Sequence, residues 1–111
     1  MGRVHIQWLD PEDPDTNFPD PGTALTEPNG LLCAGGDLTP DRLIDAYSRG
    51  IFPWFSEGEP ILWWSPNPRA VLFPDAFHAS RSLLKQIRRD QPTVTFDTAF
   101  DRVIECCSAP R

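Results

Sequence analysis

Apolar positions come in short runs along this chain, and their spacing predicts a mixed α/β protein. LLCAGGD (31–37) is an apolar run stopped by two glycines, which suggest positive φ or a close backbone approach. In TPDRLIDAYSRG, Thr39 is a suitable N-cap, Pro40 a good first helical residue and Gly50 a stop. A helix over about 40–49 follows, with Leu43, Ile44 and Tyr47 on its apolar face. ILWW (61–64) and AVLF (70–73) are strand-like runs joined by the turn-forming SPNPR. Ser80 can cap a second helix, SRSLLKQIRR, with Leu83, Leu84 and Ile87 on its apolar side. TVTF (93–96) alternates like a half-buried strand, and Asp97 can cap a third helix carrying Phe100, Val103, Ile104 and Cys107. That last apolar stripe reaches SAPR without an evident partner, the pattern of a domain that has been cut.

Two stretches break the periodicity. DPEDPDTNFPDPGTALTEP (10–28) holds five prolines and six acids and reads as an extended, solvated lead-in laid over the body through Phe18 and Leu25. GIFPWFSEGEPILWWSP (50–66) concentrates three of the four tryptophans among three prolines. Trp63 and Trp64 are adjacent in a strand-like run, so they point to opposite faces, one into the core and the other under a neighbouring element. Trp54 follows Pro53 just past a helix end, either as a hydrophobic plug or as a ring free to stack on a nucleobase.

Charge narrows the function classes. The net charge is −6, which opposes generic affinity for polyanions. Its distribution is uneven: residues 1–60 hold eleven acids and three cations, residues 61–111 five and seven. Any nucleic-acid contact must therefore be local and come from the second half. Arg81, Lys85 and Arg88 recur at i, i+4 and i+7 with Arg89 beside them, either a solvated helix face or a phosphate-holding one. The three cysteines, Cys33, Cys106 and Cys107, have no CxxC spacing and read as buried free thiols in a reducing compartment. His5 and His78 are isolated, so no metal site is expected. No nucleophile–base constellation, P-loop or HExxH is present, and GGD alone is too short to claim a phosphate. Mean hydropathy is −0.37 and no run approaches the ~18 apolar residues of a membrane span. The start, MGRVHIQWLDPEDPD, lacks an apolar h-region, so no secretory leader is expected and the cytoplasm is.

Three classes stay open on these residues: an enzyme whose remaining parts lie elsewhere, a non-catalytic RNA 3′-end-binding module, and an interaction domain whose tryptophans are all buried.

EPNGLL (27–32), GGDLTPDRLIDAYSRGIFPWFSEGEPILWWSPNPRAVLFP (35–74) and HASRSL (78–83) resemble the bacterial leucyl/phenylalanyl-tRNA–protein transferases, less strictly so through residues 93–111. The resemblance implies an α+β chain. A small, loop-rich N-terminal domain over 1–67 would precede the incomplete start of an acetyltransferase-like (GNAT-like) domain over 68–111. It implies aminoacyl transfer, without metal or organic cofactor, from Leu-tRNA or Phe-tRNA to acceptor proteins with N-terminal Arg or Lys, marking them for degradation by the N-end rule. By the same resemblance, Trp54 would lie against the 3′-terminal adenosine with Tyr47 nearby, and Arg81, Lys85, Arg88 and Arg89 would meet the acceptor stem. The family's pocket for the leucine or phenylalanine side chain and its catalytic carboxylates and glutamine belong to a part not matched here. The resemblance thus places no catalytic residue in this chain and implies inactivity when it is alone.

Overall fold

The computed structural model describes residues 5–13, 15 and 17–109 and divides into two compact units, Met1–Val71 and Leu72–Arg111. The first unit is built on a four-stranded sheet. In chain order its elements are β1 (Gln7–Leu9), β2 (Leu31–Gly35), helix α1 (Pro40–Ser48), β3 (Phe52–Pro53) and β4 (Leu62–Trp64). The spatial order is β1-β2-β4-β3, with β1 parallel to β2 and the other pairs antiparallel. The second unit contains helices α2 (Arg81–Asp90) and α3 (Phe100–Ser108). This mixed content with a small sheet is the α+β composition expected.

Trp63 organises the core. It is fully buried on the central pair β2–β4 with Leu9, Phe18, Leu32, Cys33, Ala46 and Ile51 around it. Phe18 meets it edge-to-face with ring centroids 4.8 Å apart, a favourable quadrupolar arrangement. The lead-in is therefore anchored through Phe18 as expected, while Leu25 is only half-buried. Strand β1 carries no alternating signal and was not expected. Its pairing beside β2 follows from Leu9, which is sealed in the core, and from the Gly36 N–H donated to the Leu9 carbonyl at 2.8 Å. Gly35 has φ +87°, and a Cβ there would sit 2.6 Å from the Leu9 carbonyl oxygen. Close backbone approach, rather than phosphate binding, explains GGD.

Helix α1 turns a different face inward from the one expected. Ile44 and Tyr47 are exposed, and Arg42, Ala46 and part of Leu43 pack inward. Ala46 is small enough to let the helix approach. The Arg42 stem covers Phe18, its guanidinium carbon 5.9 Å from the ring centroid. Its charge is matched by Asp37, with Nε 3.2 Å from Oδ2, and Nη2 donates to the Asp13 carbonyl at 3.3 Å. Thr39 holds the N-cap position, but its hydroxyl donates to Asp37 Oδ1 instead of capping the helix. The C-terminus closes as anticipated at Gly50, φ +72°. The Gly50 N–H reaches the Tyr47 carbonyl and the Ile51 N–H the Ala46 carbonyl, the paired bonds of a Schellman end, with Ile51 and Ala46 both buried.

In the second unit, Ser80 caps α2 as expected, accepting from the Leu83 N–H at 3.2 Å. Helices α2 and α3 both form as expected, but the strands and the third helix's cap do not. Residues 70–73 and 93–96 form no strand, since no described strand lies beside either run to complete a ladder. Asp97 adopts φ +56° in a bend, so α3 begins at Phe100 with Ala99 in the cap position. Cys33 is buried, but Cys106 and Cys107 are exposed on α3 because this unit buries none of its helical residues in the chain as it stands.

Candidate nucleic-acid interface

The chain leaves α1 through its Schellman end directly into FPWF, so β3 starts four residues past Ser48, the last residue of the helix. Phe52 pairs with Trp64 and Pro53 with Trp63, which makes β3 and β4 a hairpin. Its tip is closed by the Ser56 N–H on Glu59 Oε2 at 2.8 Å and the Glu59 N–H on the Ser56 carbonyl at 3.1 Å. Trp54 is the first residue beyond β3, and the residue is 74% exposed. Its backbone is nevertheless fixed on both sides. The Trp54 N–H donates to the Leu62 carbonyl at 2.9 Å, and its carbonyl accepts from the Trp64 indole N–H at 2.8 Å. The indole is thus exposed on an immobilised backbone and plugs no part of the core.

Arg69 fixes the other end of the same segment. Its Nη1 donates to the Gly50 carbonyl at 2.9 Å, and its guanidinium carbon lies 5.5 Å from the centre of the Phe52 ring. A cation suits this place, because the terminal carbonyls of α1 carry partial negative charge. Tyr47, in the last turn of α1, is 65% exposed. Trp54 and Tyr47 thus both present rings to solvent from the first unit, on either side of the helix end.

Arg81, Lys85, Arg88 and Arg89 all lie exposed on α2 in the second unit. Arg89 is committed to a bidentate pair with Asp90, at 2.6 and 3.1 Å. That pairing raises the Arg89 pKa further and holds the Asp90 carboxyl below its ordinary range. Arg81, Lys85 and Arg88 make no ion pair with described residues, so three cations of the four are available to phosphates.

A recess of about 510 Å³ is of opposite character. It lies beside the N-terminal half of α1, lined by Glu12, Asp37, Asp41, Asp45 and Arg42 among others. Its carboxylates would repel a phosphate backbone. Among the described residues no three His, Cys, Asp or Glu side chains converge as metal ligands, and no helix is long and apolar enough to cross a membrane.

Sequence reasoning missed Trp64 and Arg69 as parts of this region. Trp64 was legible only as one of two adjacent indoles on opposite faces, and its bond to Trp54 requires the hairpin. Arg69 carried one signal, as the sole cation between positions 50 and 80.

Comparison with known proteins places these features in a family. Residues 36–67 match the leucyl/phenylalanyl-tRNA protein transferase N-terminal domain, and residues 71–111 match the leucyl/phenylalanyl-tRNA protein transferase model. Over 106 residues, 96% of this chain, it is 58% identical to the leucyl/phenylalanyl-tRNA–protein transferase of Stutzerimonas stutzeri and 58% to that of Cellvibrio japonicus. It is 64% identical to that of a Pseudomonas fluorescens strain over the same length. Those matches cover 46%, 44% and 46% of the relatives, so the chain spans less than half the length of the curated proteins it resembles.

Proposed function

The chain belongs to the leucyl/phenylalanyl-tRNA–protein transferase family, and from that premise we propose that it is the N-terminal portion of an aminoacyl transferase acting in the cytoplasm. The reaction moves leucine or phenylalanine from its tRNA to the N-terminal Arg or Lys of an acceptor protein, committing that protein to N-end-rule degradation. The acceptor's α-amino nitrogen attacks the aminoacyl ester carbonyl and a C–N bond forms. The ester C–O bond breaks, the terminal ribose hydroxyl departs, and the proton shed by the amine balances the exchange. In this portion of the enzyme Trp54 stacks on the 3′-terminal adenine, Tyr47 stands beside it, and Arg81, Lys85, Arg88 and Arg89 meet the acceptor stem. Residues 1–67 are its N-terminal domain, and residues from 68 open an acetyltransferase-like catalytic domain. Alone, the chain is inactive, because a reactive ester needs a closed, water-excluding site with donors aimed at the developing oxyanion.

The observation that carries the RNA-end reading is the Trp54 indole, exposed on a backbone hydrogen-bonded on both sides. The relatives' names favour a transferase over a bare RNA-end-binding module. The test is transfer of labelled leucine from Leu-tRNA to a peptide beginning with arginine. It would use this chain alone and the same sequence joined to the remaining length of the Cellvibrio relative. Transfer by the joined protein and none by the chain alone is expected. Transfer by the chain alone would refute the inactivity, and a joined, folded protein that binds Leu-tRNA without transferring would refute the enzyme reading.

A further inference from the structure

Strand β3 ends at Pro53, so the Trp54 carbonyl lies beyond the paired backbone of the hairpin. It is nonetheless engaged, by the Trp64 indole N–H at 2.8 Å. The preceding peptide plane is held by the Trp54 N–H on the Leu62 carbonyl at 2.9 Å. With the planes on both sides of its Cα fixed, the Cα–Cβ direction of Trp54 is fixed too, and only its two side-chain torsions remain free. The two adjacent indoles of β4 divide the labour. Trp63 spends its N–H on the Gly35 carbonyl inside the core, and Trp64 spends its own on Trp54. A half-buried Phe at position 64 would supply comparable apolar contact but no donor.

We propose that Trp64 is a positioning residue, whose indole N–H holds Trp54 in the orientation that receives a terminal adenine. This rests on the reading of Trp54 given above. Trp64 touches no substrate in this account. Its effect passes entirely through the Trp54 backbone, so its contribution to binding disappears when the Trp54 ring is absent.

A double-mutant cycle tests this, using the 111-residue chain and a fluorescein-labelled single-stranded RNA ending in CCA, with affinity read by anisotropy. Thermal unfolding of each variant confirms that it is folded. Trp54→Ala is expected to weaken binding about tenfold, in the range for loss of one stacked base. Trp64→Phe is expected to weaken it about threefold to tenfold, as for one neutral hydrogen bond, and to have no further effect in the Trp54→Ala background. If Trp64→Phe unfolds the hairpin, the benzothiophene isostere of the Trp64 side chain, which keeps the ring and lacks the N–H, takes its place. An equal loss in both backgrounds, or no loss in the first, overturns the positioning role while leaving the adenosine reading intact. Unchanged affinity in Trp54→Ala, or no binding by the unaltered chain, overturns the adenosine reading and this inference with it.

Discussion

The indole N–H of Trp63 donates to the carbonyl oxygen of Gly35 at 2.9 Å, tying β4 to the end of β2 inside the core. Trp63→Ala is expected to cost about 3–5 kcal/mol, and Trp63→Phe about 1–3 kcal/mol for the acceptor left unsatisfied. Trp54→Ala, removing an exposed ring, should stay within about 0.5 kcal/mol. Urea unfolding of the three variants checks the order. A Trp54 variant as damaged as the Trp63 ones would return Trp54 to the core.

Glycine strain gives a second comparison. Gly35 and Gly58 both have positive φ, +87° and +83°, but a Cβ at Gly35 meets the Leu9 carbonyl oxygen at 2.6 Å while one at Gly58 meets nothing within 4 Å. Gly58→Ala should cost about 1–2 kcal/mol from backbone conformation alone. Gly35→Ala should cost a further 1–3 kcal/mol, roughly, from overlap. Equal midpoints in denaturant would contradict the close approach.

Asp37 gives the fold an acid limit. The Thr39 hydroxyl and backbone N–H, and then Arg42, hold its carboxyl below the ordinary carboxylate range. A depressed folded pKa contributes stability that is whole above the unfolded value and disappears as pH falls through the folded one. The stability gap between the unaltered chain and Asp37→Asn should therefore be constant near neutrality and shrink on acidification below about pH 4. A gap independent of pH down to 2.5, roughly, would exclude this linkage.

Thiol chemistry should separate the cysteines. Burial pushes the Cys33 thiol up to about 12, against a smaller opposing effect from Arg42. Iodoacetamide near pH 8 should alkylate Cys106 and Cys107 in the folded chain and spare Cys33 until denaturant is added. Mass spectrometry of the labelled protein counts the sites, and rapid modification of Cys33 would mean that β2 is not sealed.

On α2, the bidentate pair with Asp90 sets Arg89 apart from its neighbours. For binding to charged tRNA, Arg81→Ala, Lys85→Ala and Arg88→Ala should each reduce the slope of log affinity against log salt by about 0.7–0.9. Arg89→Ala should reduce it less, because its charge is already matched. Slopes unchanged in all four would refute the proposed contact of α2 with the acceptor stem.

Much of the first unit was legible because its signals are local. Thr39-Pro40 and Gly50 bracket α1, and the Trp63–Trp64 alternation assigns one indole to each face of β4. The inward face of α1 was not, because the partners that accompany the buried Arg42, among them Asp37, Phe18 and the Asp13 carbonyl, lie off its helix. Nor was β1, a three-residue strand whose evidence is a partner twenty-six positions away at Gln7↔Cys33. Runs 70–73 and 93–96 misled for the opposite reason: β-propensity describes a surface that fits a sheet, and no described strand lies alongside. Trp54 and the α2 cations stood out by residue type, but what immobilises Trp54 is a donor ten positions away, Trp64.

An acidic, proline-rich leader is what an experimenter trims first to obtain a well-behaved domain. Here Leu9 and Phe18 are walls around Trp63, and Arg42 reaches out of α1 to the Asp13 carbonyl. A version shortened to begin near position 20 would open the Trp63 cavity to water and leave Arg42 without one of its acceptors. The core of this unit therefore reaches back to Leu9, well ahead of the first position matched by the family's domain model.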